Sequence, residues 1–202
     1  MVIHPEVRNR FTGVEKTEIA KLTLSYEDIF SLNHFLMLLR EMLIENGYAP
    51  LEEEDFPENF YLERVNPIEG KEIVIFWRLK KTPKKEQKFF SYWLDIDLHI
   101  TGLKDIEILF KGERVRTTKG KIEIALLGNL VIDYKGTWLD LDLVKPFRNL
   151  IFNAFFKKSF EGLIKKFSEE IAALREGIKD FLRVEAYIPE KELPIFHAKK
   201  RI

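Results

Sequence analysis

Asp95, Asp97 and His99 stand at alternate positions in the chain. On a β-strand all three would project from one face, an oxygen-and-imidazole set of the kind that binds divalent metals. The flanking residues decide how much that spacing means. Phe90, Tyr92, Leu94, Ile96, Leu98 and Ile100 take the intervening positions and Ser91 extends the polar set, so 88–100 is a strand with one apolar and one polar face. An antiparallel sheet with a solvated face carries charges at such positions without any metal, and no metal is assigned. His34 falls among Leu and Phe at helical spacing, where a partly buried, hydrogen-bonded core role is expected. A glycine-rich phosphate loop, an HExxH motif and a nucleophile elbow are all missing from the sequence, so no residue stands out as nucleophile, acid or base, and no cofactor is implied.

Cations make a second pattern. Lys80, Lys81, Lys84, Lys85 and Lys88 crowd one break between apolar segments, and Lys111, Arg114, Arg116, Lys119 and Lys121 crowd another. If a hairpin at Gly102 lies between them, the two breaks fall at the same end of an up-and-down sheet, because successive turns alternate between ends. Ten cations at one rim would focus a positive potential and attract an anionic partner: a nucleic-acid backbone, a phosphorylated ligand or an acidic protein surface. Lysine-rich hairpin tips also serve simply to keep sheet edges from aggregating, and neither tip interleaves the aromatics that base stacking uses.

The elements that must position these groups follow from periodicity. Alternation predicts strands at 72–80, 88–100, 105–111, 121–127 and 130–135, with hairpin breaks at Gly102 and Gly128-Asn129, and a shorter strand at 60–65. Upstream, Ala20, Leu22 and Leu24 share one side of an alternating run from Glu15, and Ser25-Tyr26-Glu27-Asp28 resembles a helix cap. A helix is expected from Ile29 through Leu32, Leu36, Leu39 and Leu43, stopped by Asn46-Gly47. After Trp138 the period changes to that of a helix, opened by Pro146 and running to Leu182. Phe160, Ile164, Phe167, Ile171, Leu174, Ile178 and Phe181 step by four and three, a heptad seam about three repeats long that offers self-association. An unbroken helix of that length exceeds a compact domain, so either it breaks near Ser159 or Gly162 or its second half projects.

The expected fold class is therefore α+β: a strand and helix, then an antiparallel meander of about five to six strands packed on a long carboxyl-terminal amphipathic helix. A single domain is expected over 1–183, with an acidic loop at 48–58, sheet at 60–138, helix or helix pair at 146–182, and a basic extended tail at 184–202. In order of elements this is similar to the helix-grip fold of lipid-transfer and polyketide-cyclase-like proteins. That similarity implies an apolar cavity between sheet and last helix, for which Trp77, Phe90, Tyr92, Tyr134, Phe147 and Phe155 would form the wall. Two functions stay open: a non-catalytic module holding an apolar or amphipathic small molecule there, and a module binding nucleic acid, another polyanion or a protein through the basic sheet end.

Composition bounds the rest. The 202 residues carry 33 basic and 33 acidic side chains and no cysteine, which excludes disulfides and thiolate metal sites. Residues 1–70 hold 6 basic and 14 acidic groups, 71–140 hold 14 and 10, and 141–202 hold 13 and 9, so the two parts of the chain are complementary in charge. No apolar run approaches the roughly 20 residues of a membrane span. A soluble cytoplasmic protein with thermophile-like composition is the expectation.

Overall fold

The computed structural model describes residues 16–51, 56–82, 89–110, 113–132 and 157–184. Five strands and two helices occur among them: β1 (Lys16–Phe30), α1 (Leu32–Glu45), β2 (Glu58–Asn66), β3 (Gly70–Lys81), β4 (Phe90–Phe110), β5 (Glu113–Ile132) and α2 (Lys157–Val184). The strands form one antiparallel sheet in the order β1-β5-β4-β3-β2, so the first strand lies beside the last. The α+β class and the carboxyl-terminal helix packed on an antiparallel sheet are as the periodicity implies. No helix among the described residues is long and apolar enough to cross a membrane.

Alternation builds the inner face of this sheet. Tyr92, Leu94, Ile96, Leu98 and Ile100 of β4 are at most 1 % exposed, and Ile75, Trp77 and Leu79 of β3 and Ile122, Ile124 and Leu126 of β5 continue the same buried layer. Onto it α2 lays Leu163, Phe167, Ile171, Leu174, Ile178 and Leu182, a stripe at the spacing of one helix face. Each such fully buried side chain contributes about 1.5–3 kcal/mol. The residues of the heptad seam are thus spent inside their own chain: Phe167 stacks on Tyr92 with ring centres 4.4 Å apart, and Phe181 meets Phe35 of α1 at 5.9 Å. Across 157–184 the helix is continuous through Ser159 and Gly162, and a side chain at Gly162 would meet nothing. The expected helix start at Pro146 lies outside the described residues, as does the expected tail at 184–202 apart from Val184, which is the last residue of α2.

Three expectations are corrected. Ser25-Tyr26-Glu27-Asp28 does not cap a helix: β1 runs through it to Phe30, pairing with β5 without interruption from Ala20 onward. The cap is Ser31, whose hydroxyl accepts the His34 N–H, and the helix ends as expected at Asn46 with Gly47 at φ +72°. Gly102 and Gly128 are not hairpin turns either. Gly102, at φ +64°, sits in a bulge where the β4–β5 register shifts between Thr101 and Lys104. Gly128 is an ordinary strand residue opposite Leu94 and Ala20, and it is glycine because α2 rests on it: a Cβ there would collide with the Ile171 Cδ1 and press on the Phe167 ring. The expected five strands between 71 and 135 are therefore three, and β1 and β2 complete the sheet.

Candidate functional site

The proposed cavity wall lies in the core where it is described. Trp77, Phe90 and Tyr92 are each at most 1 % exposed, covered by Phe56, Phe160 and Phe167 at centroid distances of 4.7, 5.9 and 4.4 Å. Tyr134, Phe147 and Phe155 lie outside the described residues. Between sheet and α2 a cavity of ≈10 Å³ is lined by Leu43, Tyr48, Leu94, Glu170, Ile171 and Leu174, room for one water.

At the rim of that cavity Lys81 and Tyr48 both donate to the same Glu170 oxygen, each at 2.9 Å. The Lys81 ammonium also lies 4.8 Å from the Tyr48 ring centre and 5.9 Å from that of Tyr92, within cation–π range. Burial first, and then the Glu170 carboxylate, raise the Tyr48 phenol well above its ordinary pKa and push Tyr92 up to about 12. Both phenols are protonated donors at neutral pH, and Tyr92 spends its proton on the Leu163 carbonyl at 3.1 Å. Lys81 closes β3, Tyr48 follows α1 and Glu170 belongs to α2, so the group ties three elements together.

On the opposite face the expected Asp95, Asp97 and His99 set does share one side of β4, but Arg78 faces the two carboxylates and Glu72 takes the imidazole. Arg78 of β3, only 7 % exposed, donates to Asp97 Oδ1 at 2.6 Å and lies 4.0 Å from Asp95 Oδ1. His99 Nε2 is 3.0 Å from Glu72 Oε1. No group of three or more His, Asp or Glu among the described residues is placed to hold a metal ion.

The two cationic clusters do not meet. Among the described residues three strands, β3, β4 and β5, lie between 71 and 132, so Lys81 at the end of β3 and Arg114 at the start of β5 fall at opposite ends of β4. Lys80 and Lys81 pair with Trp93 and Tyr92, whereas Lys119, Arg116 and Arg114 pair with Lys104, Glu107 and Leu109. At about 3.3 Å per residue those positions lie roughly 35–55 Å apart along β4. Even Lys80 and Lys81 diverge, since Lys80 lies over Trp93 on the outer face, 4.4 Å from the ring centre. Arg116 faces Glu107 at 3.6 Å, and Lys121 pairs with Glu123 at 2.6 Å, which raises the lysine and lowers the carboxyl from their ordinary pKa values. Lys84, Lys85, Lys88 and Lys111 lie outside the described residues.

A different feature, absent from the sequence-based expectations, marks the Arg114 end. β3 begins at Gly70, near its last β4 partner Leu103, and β1 ends at Phe30, opposite Thr118. The β4–β5 pair continues past both as a two-stranded ribbon from Lys104 to Glu113, leaving a step in the sheet roughly 20 Å deep. At the foot of the step an open cavity of ≈590 Å³ is lined by Arg64, Val65, Glu69, Lys71, Glu72 and Thr101 among others, a size within the range of ligand sites. Gly70 shapes this corner: it sits at φ +95°, and a Cβ there would stand 2.8 Å from the Leu103 carbonyl. Val65, Ile68 and Leu109, 69, 84 and 75 % exposed, all belong to this end of the sheet. Lys104 reaches from the ribbon to the Ile68 carbonyl at 3.0 Å and fixes the two parts together. The available signal was the apolar Ile68 inside the turn Asn66-Pro67-Ile68-Glu69-Gly70; the step itself arises from unequal strand lengths, which periodicity does not give. Set against known proteins, the chain matches no family model and no curated relative.

Proposed function

We propose that this protein is a non-catalytic binding module that engages a macromolecular partner at the stepped end of its sheet. The observation that carries the reading is that three exposed apolar side chains, Val65, Ile68 and Leu109, lie on the same end of the sheet as an open cleft and a ribbon that outruns its neighbours. Exposed apolar residues gathered at one place mark interaction surfaces, whereas scattered ones carry no such meaning. Arg114, Arg116 and Lys119 also lie on this end, but Asp105 and Glu107 are interleaved with them and Arg116 faces Glu107, so the end is of mixed charge. Site-specific photo-crosslinking in the living source cell tests the proposal. A crosslinker at Ile68 or Leu109 captures a discrete partner that one at Lys165, on the exposed face of α2, does not. Equal capture at all three positions, or none, overturns it.

A second reading keeps an apolar or amphipathic small molecule between sheet and α2, supported by the aromatic lining of Trp77, Phe90 and Tyr92. It requires α2 to lift from Gly128, against which Ile171 and Phe167 are packed. Native mass spectrometry of freshly purified protein discriminates the two: a retained small molecule favours this reading, and a bare monomer mass opposes it.

A further inference from the structure

We infer that the partner is an extended polypeptide that adds as a strand to the β4 edge of the ribbon, over Lys104–Leu109, with basic side chains alternating with apolar ones. This rests on the stepped end being the site in use. Because β3 stops at Gly70, β4 beyond Leu103 has no strand beside it on that side among the described residues. An edge of that kind presents main-chain N–H and C=O groups at alternate residues, a template for strand addition. The ≈590 Å³ cavity lies where a strand continuing the line of β3 would arrive, lined there by Lys71, Glu72 and Thr101, and it gives the end of such a strand a place to seat.

Chemistry of the edge sets the partner's pattern. Asp105, Glu107 and Leu109 share one face of β4 and are exposed, whereas Ile106 and Ile108 share the other and are half-buried. Directly opposed side chains interact across a sheet and like charges there are destabilising. A basic residue therefore belongs opposite Asp105 and a second one beside Glu107, whose carboxylate already meets Arg116 of β5 at 3.6 Å, and apolar residues belong opposite Ile106 and Ile108. A second copy of the same edge fits poorly. Antiparallel self-pairing about a two-fold axis at Lys104, Asp105, Ile106 or Glu107 opposes Lys104 to Lys104, Asp105 to Asp105, Asp105 to Glu107, or Glu107 to itself, and an axis at Ile108 sets Glu107 against Leu109, which offers it no countercharge. The β5 edge is the worse candidate, because Thr118 donates to the Phe30 carbonyl and α1 begins at Leu32 close beside it.

Residue-resolved amide hydrogen exchange on the full chain, with a capped ten-residue peptide alternating valine and lysine as the probe, tests the inference. Protection grows at least tenfold at alternate amides of 104–109 and stays unchanged along β2, the sheet's other outer strand on that side. A valine–glutamate peptide gives no protection, and the Asp105→Lys, Glu107→Lys double variant reverses the preference. Protection of β2 equal to that of β4, none at either, or a preference untouched by the charge reversal overturns the inference. Strand addition alone fails if crosslinks at Ile68 and Leu109 persist while 104–109 gains no protection; the stepped end itself fails if the crosslinks are lost too.

Discussion

Tyr92 shows how much a single phenol responds to its setting. Burial, followed by the Glu170 carboxylate, pushes its pKa from 10.0 up to about 12. In the unfolded chain the phenol ionises near its ordinary value, so unfolding becomes easier as pH climbs between about 10 and about 12, and the stabilisation is complete only below that window. Wild-type protein should lose about 2 kcal/mol to this group across the interval, at about 1.4 kcal/mol per unit of pKa. Tyr92→Phe, which keeps the ring on Phe167, should flatten the fall in urea midpoints measured from pH 9 to 12; an unchanged slope would assign the alkaline loss elsewhere. At this scale the sequence was partly legible. The period of two put Asp95, Asp97 and His99 on one face, but Arg78 and Glu72, which occupy them, sit on another strand, and inter-strand register is a property of the pair rather than of either segment.

Among the elements, the boundary between β1 and α1 separates two serines of different role. Ser25 is a strand residue opposite Glu123, and Ser31 caps the helix. Ser31→Ala should cost about 1 kcal/mol in chemical denaturation, the usual value of an amino-terminal cap, while Ser25→Ala should stay within about 0.5 kcal/mol, as surface changes do. The expected cap at Ser25 failed because β1 pairs with a strand whose own alternation extends to Thr118, and that tertiary pairing overrides a local capping pattern. Glycine misled in the same way: its usual meaning is a turn, but Gly128 marks the close approach of α2. Gly128→Ala should destabilise by about 1–3 kcal/mol, the range for overpacking, and combining it with Ile171→Val should recover part of the loss, a non-additivity that a double-mutant cycle reads directly.

Over the whole molecule, the fold class emerged from periodicity while the positions of the charged ends did not. Turns misassigned at Gly102 and Gly128 raised the strand count between 71 and 135 from three to five, and the one at Gly102 inserted a chain reversal between the two basic clusters that would have brought them to the same end. Lys80 and Arg114 consequently lie about 50 Å apart along β4 at roughly 3.3 Å per residue rather than on one rim. The same length mismatch predicts uneven stability. Amides of 104–109 and 114–117, held in a two-stranded ribbon, should exchange with solvent at least a hundredfold faster than those of 92–100, which lie between two paired strands. Exchange at matching rates along all of β4 would contradict this.

The adjacency of the first and last strands imposes an order on biosynthesis. Lys16–Phe30 emerges from the ribosome early, yet its only strand neighbour in the sheet is β5, made roughly a hundred residues later and hence some 5–20 s behind it at ordinary translation speeds. Throughout that delay Leu22, Leu24 and Phe30 have no sheet to join, and the layer that finally covers that sheet, α2, is translated later still. Nascent chains of this protein must therefore be shielded at β1 until α2 has been translated.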